Sequence, residues 1–310
     1  MVKYKLQIVF FLSLICSSLY GAITDYEIKP KNLYSSKQFN INILDAKELS
    51  FKPLNDIKVT ELSALAYRNN TLYALSDRGY LYHFDIDIKN SKISKLILKK
   101  AFELKNKKNK KLKKKRRDAE GMVFLKDDLL ISFERKHRAE LFSLNAVKIK
   151  KIKINKQLRD KDNYQSKNKG LEAIAYSKKY GVITAPEIAL VNENEEYHTL
   201  YAKDKSWKFQ AEGSIVALEF MDKNRVMVLL RSFNEFTRKR VTVLSEINLK
   251  KCKNGICKSK ILARLDSSDG WNLDNFEGLT KVGKNRYLMV SDDNGSFFQK
   301  TLLVLFEIVD

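Results

Sequence analysis

Glu120-Gly-Met-Val-Phe124, then a polar turn, then Leu129-Leu-Ile-Ser-Phe133 and the charged pair Glu134-Arg135: this stretch sets the pattern for the whole chain. Two short apolar runs rich in branched and aromatic residues, joined by turn residues, read as an antiparallel β-hairpin. The same unit recurs from Ser63-Ala-Leu-Ala-Tyr67, Glu172-Ala-Ile-Ala-Tyr176, Val216-Ala-Leu-Glu-Phe220 and Glu277-Gly-Leu-Thr-Lys281. Each first run is followed by a second that ends in a charged or polar cluster. These are Ser76-Asp-Arg78, Phe133-Glu-Arg135, Ala185-Pro-Glu187, Leu230-Arg-Ser232 and Ser291-Asp-Asp293. From the first residue of the unit to its cluster takes 14 or 15 residues every time.

The five units start 57, 52, 44 and 61 residues apart, room for four strands each. Helix-period patterns are scarce. Repeats of this size holding four strands are propeller blades, so the fold expected is an all-β propeller of five four-stranded blades, or six if the two termini build another. The C-terminal run Leu302–Ile308 and the N-terminal run Phe39-Asn-Ile-Asn-Ile-Leu44 have no complete blade of their own. Pairing them in one sheet would close the ring and remove its open edges.

The chain begins with Lys3 and Lys5, an apolar run from Leu6 to Leu19, and small residues Gly21 and Ala22. Such a run is shorter than a membrane span and reads as a signal peptide over residues 1–21, exporting a domain of residues 22–310 with no transmembrane segment. Cys252 and Cys257 flank Asn254-Gly255, the strongest short hairpin signal. That turn sets the two thiols opposite each other, so an exported chain should oxidise them to a disulfide.

Net charge is +22. In a chain rich in Lys, Asn and Ile and poor in Pro and Gly, this looks chiefly like compositional bias, and no specific nucleic-acid partner is expected. The segment 105–117 carries ten Lys or Arg in thirteen positions and is expected to be a solvated loop insertion. A polyanion arm is the other reading of it.

Ring closure would bring all five hairpin rims to one end of the molecule. Asp77, Glu120, Glu134, Glu172, Glu187, Glu277, Asp292 and Asp293 would converge there, with Arg78, Arg135 and Arg231 among them. Like charges crowded together raise one another's pKa. Arginines compensate some, and a hard divalent cation, Ca²⁺ first, would compensate the rest. Carboxylate-held metal beside arginine donors suits a phosphate ester. Each carboxylate taken singly is equally well explained as a brace between blades. Three histidines are too few and scattered for a zinc site, and neither a Gly-x-Ser-x-Gly elbow nor a phosphate-binding Gly-x-x-x-x-Gly-Lys loop occurs.

Leu75-Ser-Asp-Arg-Gly79, Asp118-Ala-Glu-Gly121, Ser132-Phe-Glu-Arg135 with His137-Arg138, Gly170-Leu-Glu-Ala173, Arg231-Ser-Phe233, Asn275-Phe-Glu-Gly278 and Ser291-Asp-Asp-Asn294 resemble the phytase-like family. This is the bacterial group labelled "esterase-like activity of phytase". The resemblance spans Glu61 to Ile308 and implies a periplasmic propeller related by fold to calcium-dependent phytases. Ser63 and Val216 depart from it, standing where the other repeats have Glu. The expected roles are then Glu134 and Glu277 in catalysis, and Arg78, Arg135, His137, Arg231 and Asn294 in substrate binding. Asp77, Glu120, Glu172, Glu187, Asp292 and Asp293 would hold the metal. The substrate expected is a small anionic ester, and the protein a monomer. The rival is a non-catalytic binding or scaffold propeller.

Overall fold

The computed structural model describes residues 22–31, 40–166 and 169–309. The expected signal peptide, residues 1–21, lies outside them, as does Phe39. Among the described residues there are twenty-one strands. The N-terminal strands are β1 (Ala22–Asp25) and β2 (Ile41–Ser50). Blade 1 is β3 (Leu62–Arg68), β4 (Thr71–Ser76), β5 (Tyr80–Lys89) and β6 (Lys92–Glu103). Blade 2 is β7 (Ala119–Leu125), β8 (Asp128–Phe133), β9 (Arg138–Phe142) and β10 (Lys148–Ile152). Blade 3 is β11 (Leu171–Ser177), β12 (Gly181–Pro186), β13 (His198–Tyr201) and β14 (Ser206–Phe209). Blade 4 is β15 (Ser214–Phe220), β16 (Arg225–Phe233), β17 (Arg240–Asn248) and β18 (Ser259–Asp266). The last three strands are β19 (Asn275–Lys281), β20 (Arg286–Asp292) and β21 (Leu302–Ile308).

Blade 5 settles the blade count. Its order is β19-β20-β21-β2-β1, with Ile41 opposite Ile308 and Glu48 opposite Leu302. The termini complete the fifth blade and do not make a sixth. The five first strands β3, β7, β11, β15 and β19 contact one another in ring order, β19 back to β3.

The apolar core is not at the centre. It forms five wedges, one between each pair of neighbouring blades, such as Phe276, Met289 and Val304 against Met227, Leu229 and Leu244. Each blade is therefore covered on both faces, which is why runs such as Leu129-Leu-Ile-Ser-Phe133 do not alternate with polar residues. The middle is left to polar side chains.

All five first strands carry a β-bulge at the same place, where the register skips Ser63, Glu120, Glu172, Val216 and Glu277. A bulge leaves its extra residue outside the ladder and turns the strand locally. The residue that follows is always small: Ala64, Gly121, Ala173, Ala217 or Gly278. The reason is close approach of the next blade. A Cβ on Gly121 would sit 2.7 Å from the Glu172 carbonyl oxygen, and one on Gly278 3.2 Å from the Ala64 backbone.

Two further expectations meet the structure here. Cys252 and Cys257 form a disulfide, with Cα atoms 4.2 Å apart. Asn254 and Gly255 turn at φ 49° and 78°, and Lys253 and Ile256 exchange both backbone hydrogen bonds at 2.9 Å. The hairpin does not extend β18. It reaches over to blade 3, where Lys208 N–H donates to Gly255 at 2.7 Å and Cys257 N–H to Lys208 at 2.8 Å. It thereby covers the edge strand β14.

The Lys-rich segment 105–117 differs from the expected solvated loop. Its lysine tips are solvated but its backbone is docked. Leu112 is buried against the wedge of blades 1 and 2, and its N–H donates to the Leu104 carbonyl at 3.0 Å. Lys105 bridges to Val147, and Arg117 donates to the Leu112 carbonyl at 2.7 Å while packing on Gly79. A strap is the better description. Among the described residues no helix is long and apolar enough to cross a membrane.

Candidate functional site

Strand direction puts one set of residues on one face. Each first strand starts, and each second strand ends, at the same mouth of the ring. The end pairs are Glu61 with Asp77, Asp118 with Glu134 and Gly170 with Glu187, joined by backbone bonds of 3.0–3.1 Å. In blades 4 and 5 they are Ser214 with Arg231 and Asn275 with Asp292. The mouth thus carries a column of Asp77, Glu134, Glu187, Arg231 and Asp292. Just inside it lies the bulge column. Glu120 feels both Glu172, from the next blade, and Glu277, from across the ring, so these three carboxylates face a common axis. The other two bulge residues are spent between blades. The Ser63 hydroxyl donates to the Ala119 carbonyl at 2.6 Å, and Val216 packs in the wedge of blades 4 and 5.

The electrostatics follow from enclosure. Burial pushes Glu120 and Glu172 well above the usual carboxylate range, and the neighbouring carboxylates add to it. Burial and the Glu277 charge push Asp292 up to about 9. Asp77 rises to about 7 through burial and then Glu61. Glu134 rises to about 7 through burial, against a lowering bond from Gly170 N–H at 3.2 Å. Arg231 is the cation set among them. Burial works against its charge, but Glu277, Glu187 and Glu172 outweigh it and raise its pKa. It meets Glu277 at 2.9 Å, and Asn275 Nδ2 donates to the same carboxylate at 2.8 Å.

Several of the expected residues already have partners. Arg78 holds Glu61 through two bonds of 2.6 Å. Arg135 meets Asp118 at 2.6 Å, and Lys169 meets Glu187 at 2.7 Å. Asp293 differs most from the expectation of a metal ligand. It accepts from Thr60 Oγ1, the Glu61 and Gly295 N–H groups and Thr301 Oγ1 at 2.7–3.0 Å, bonds that hold its pKa down despite burial. Its oxygens are occupied, and it latches blade 5 to blade 1. Asn294 is exposed, donating to Gln299 at 2.7 Å, while its N–H binds Asp292 at 2.7 Å. His137 stacks on Tyr164 with ring centroids 3.6 Å apart, and burial lowers its pKa to about 4. It sits over Gly170, where a Cβ would clash with both His137 and Glu134. It is a neutral wall of the site.

The side-chain carboxylates of Glu120 and Glu172 have no hydrogen bond or ion pair among the described residues, although other carboxylates surround them. Asp118, Glu120 and Glu134 each bring one oxygen within 4.8 Å of the other two. This group of three fits a hard cation: three carboxylates at the mouth end of the β7–β8 hairpin, one of them unpaired. Beside it opens a cleft of about 360 Å³ lined by Asp77, Arg78, Lys114, Arg117, Asp118 and Arg135. The structure brings the expected Glu120 and Glu134 together and adds Asp118, Glu61 and the strap residues Lys114 and Arg117, which the sequence reading did not include. Asp118 was within reach, for it stands two residues before Glu120 in the repeat and opposes Glu134 across the hairpin.

No curated protein matches this sequence. Solved structures that are similar include one titled "Crystal Structure of Mitotic Checkpoint Complex", 9% identical, with TM-score 0.38 over 86% of this chain and 69% of that one. Another is "Structure of Dos1 propeller", also 9% identical, TM-score 0.37, over 86% and 74%. Likeness at this level carries no functional argument. The sequence family is more specific. The model described as "Phytase-like: Esterase-like activity of phytase" matches residues 57–295, from the approach to blade 1 through the rim of blade 5. The chain belongs to this phytase-like family.

Proposed function

We propose that the channel mouth binds a divalent cation, Ca²⁺ in the first instance, and with it hydrolyses a phosphate or other anionic ester. The observation that carries this reading is the meeting of Asp118, Glu120 and Glu134 oxygens within 4.8 Å, beside a cleft rimmed by Arg78, Lys114, Arg117 and Arg135. The three carboxylates would hold the cation, with Glu172 behind them. When bound, such a cation screens phosphate charge and lowers the pKa of water. Arg78 and Arg135 are partly exposed and can offer paired donors to an anionic oxygen without leaving their own carboxylates. Without the cation Glu134 has a pKa of about 7; the cation would ionise it, leaving its second oxygen to accept a hydrogen bond from the attacking water. Glu277, the other expected catalytic residue, is held by Arg231 and Asn275 and is better suited to fixing Arg231. The apolar run at residues 6–19 and the disulfide support export to an oxidising compartment such as the periplasm.

The second reading, a non-catalytic binding or scaffold propeller, is favoured by the braces: Asp293, Glu61–Arg78 and Glu277–Arg231 all tie blades or strands together. Thermal unfolding with chelator and with added Ca²⁺, alongside turnover of a panel of phosphate esters, separates the two. The enzyme reading requires a cation-dependent rise in Tm and cation-dependent turnover that Glu120→Gln abolishes. A Tm indifferent to cation leaves the braces as the whole account.

A further inference from the structure

The rim holds a second arrangement, separate from the channel. Phe236 is 98% exposed, Phe297 97% and Phe298 91%. They stand on the turns after β16 and after β20, both at the ends of second strands and so on the mouth face. These turns are well built. Asn234 Oδ1 accepts from the N–H groups of Phe236 and Thr237 at 3.0 and 2.9 Å. Asp293 O accepts from Ser296 N–H at 2.8 Å, and Asp274 from Lys300 N–H at 2.7 Å. Phe297 and Phe298 meet edge to face, centroids 5.8 Å apart. Three rings are thus held out into water by ordered backbone.

The Lys-rich strap lies on the same face, because it joins the end of β6 to the start of β7. Lys107, Lys108, Lys110, Lys113, Lys114 and Lys115 are exposed and make no ion pair among the described residues. On the aromatic side, Arg238 flanks Phe236, and Arg240 joins it around Phe233 at 5.0–5.4 Å. Glu235 is the one acid on that turn. On the opposite face the exposed apolar residue of the disulfide hairpin is aliphatic, Ile256.

We infer that the mouth face docks on an anionic lipid surface, with Phe236, Phe297 and Phe298 entering the interface and the strap lysines drawing it on. Aromatic tips with flanking cations are the chemistry of the headgroup boundary, and a polybasic patch supplies the second, electrostatic signal such binding needs. The tips project from separate turns on either side of a cleft of about 470 Å³, whose Arg231, Arg238 and Arg240 offer cations to an anionic headgroup while the rings stand out into water. A second copy is disfavoured by charge, since the chain carries +22. The inference stands whether or not the channel is catalytic.

Co-sedimentation with vesicles of phosphatidylcholine, alone or containing phosphatidylglycerol, tests it. The wild type should bind the anionic vesicles, less tightly as salt rises. The triple variant Phe236→Ser/Phe297→Ser/Phe298→Ser should lose at least about tenfold in affinity. So should a variant with Lys107, Lys108, Lys110, Lys113 and Lys115 changed to Gln. Tm should be unchanged in both, because none of these side chains is packed into a core. Equal binding by wild type and both variants overturns the inference. So does a concentration-dependent dimer of the wild type that the phenylalanine variant abolishes without any vesicle binding, which would assign the tips to a second copy.

Discussion

Blade 2 and blade 4 share one backbone and opposite chemistry. In each, the first strand bulges two residues after its rim residue and the second strand ends at the mouth. Blade 2 fills the two special positions with Glu120 and Glu134; blade 4 fills them with Val216 and Arg231. The bulge therefore does not exist to present a carboxylate. It is the way a first strand bends around the ring, and the sequence decides afterwards whether the exposed position holds a charge, a brace or a core residue. The difference also shows how the ring tolerates its acids: Arg231, from the one blade without them, is the counter-charge for Glu277, Glu187 and Glu172.

Removing that counter-charge should have the largest effect. Arg231→Met leaves Glu277 enclosed without its counter-ion, with only the Asn275 amide as partner, and breaking a buried pair by one partner costs about 3–5 kcal/mol. The double variant Arg231→Met/Glu277→Met should recover most of this. Chemical denaturation measures both. A double variant no more stable than the single one would show that Arg231 acts through packing and does not balance the charge of the acids.

Next comes the strap beside blade 2. Leu112 is its one buried apolar side chain, and Leu112→Ala should destabilise by about 2 kcal/mol, the lower end for a buried leucine because the site lies at the rim. Replacing the neighbouring exposed Lys113 with Gln should change stability by less than about 0.5 kcal/mol. If both substitutions are neutral, the strap is not docked in solution, and blade 2 has no more support at its rim than blade 4.

The fold was legible because the repeat is. The bulge residue, the small residue after it and two apolar runs recur in all five units, and the terminal runs lacked partners. The site was half legible. Column positions are given by strand pairing, so Glu120, Glu172 and Glu277 could be gathered from spacing alone. Which carboxylates are free could not, because Asp293 and Asp292 are neighbours in sequence and opposites in environment. One accepts four donors, two of them across the blade 5–blade 1 seam; the other faces Glu277 and Asp77. The docked strap was hidden for a similar reason. A single leucine among ten cations gives no periodic signal, and the strap's partners at Ala146 and the Gly79 turn come from elsewhere in the chain.

The smallest effect is the one that tests the comparison most directly. Carboxylates on the unfolded chain titrate near 4, whereas enclosure lifts Glu134 and Asp77 to about 7 and Asp292 to about 9. Between these values the folded protein binds more protons than the unfolded chain, so cation-free stability should fall as pH rises from about 5 to about 9. Ordinary salt-bridged acids, with lowered pKa values, would have the opposite sign or leave this window flat. Glu120→Gln removes one enclosed carboxyl of blade 2 and relieves its neighbours, so its Tm should fall less steeply and exceed the wild type's at alkaline pH with chelator present. Added Ca²⁺ should reverse the order, raising wild type more than the variant, because the cation replaces the protons that Glu120 and Glu134 otherwise need. A cation-free wild type whose Tm climbs through the same window would mean that blade 2 is as well compensated as blade 4, and that its acids are braces.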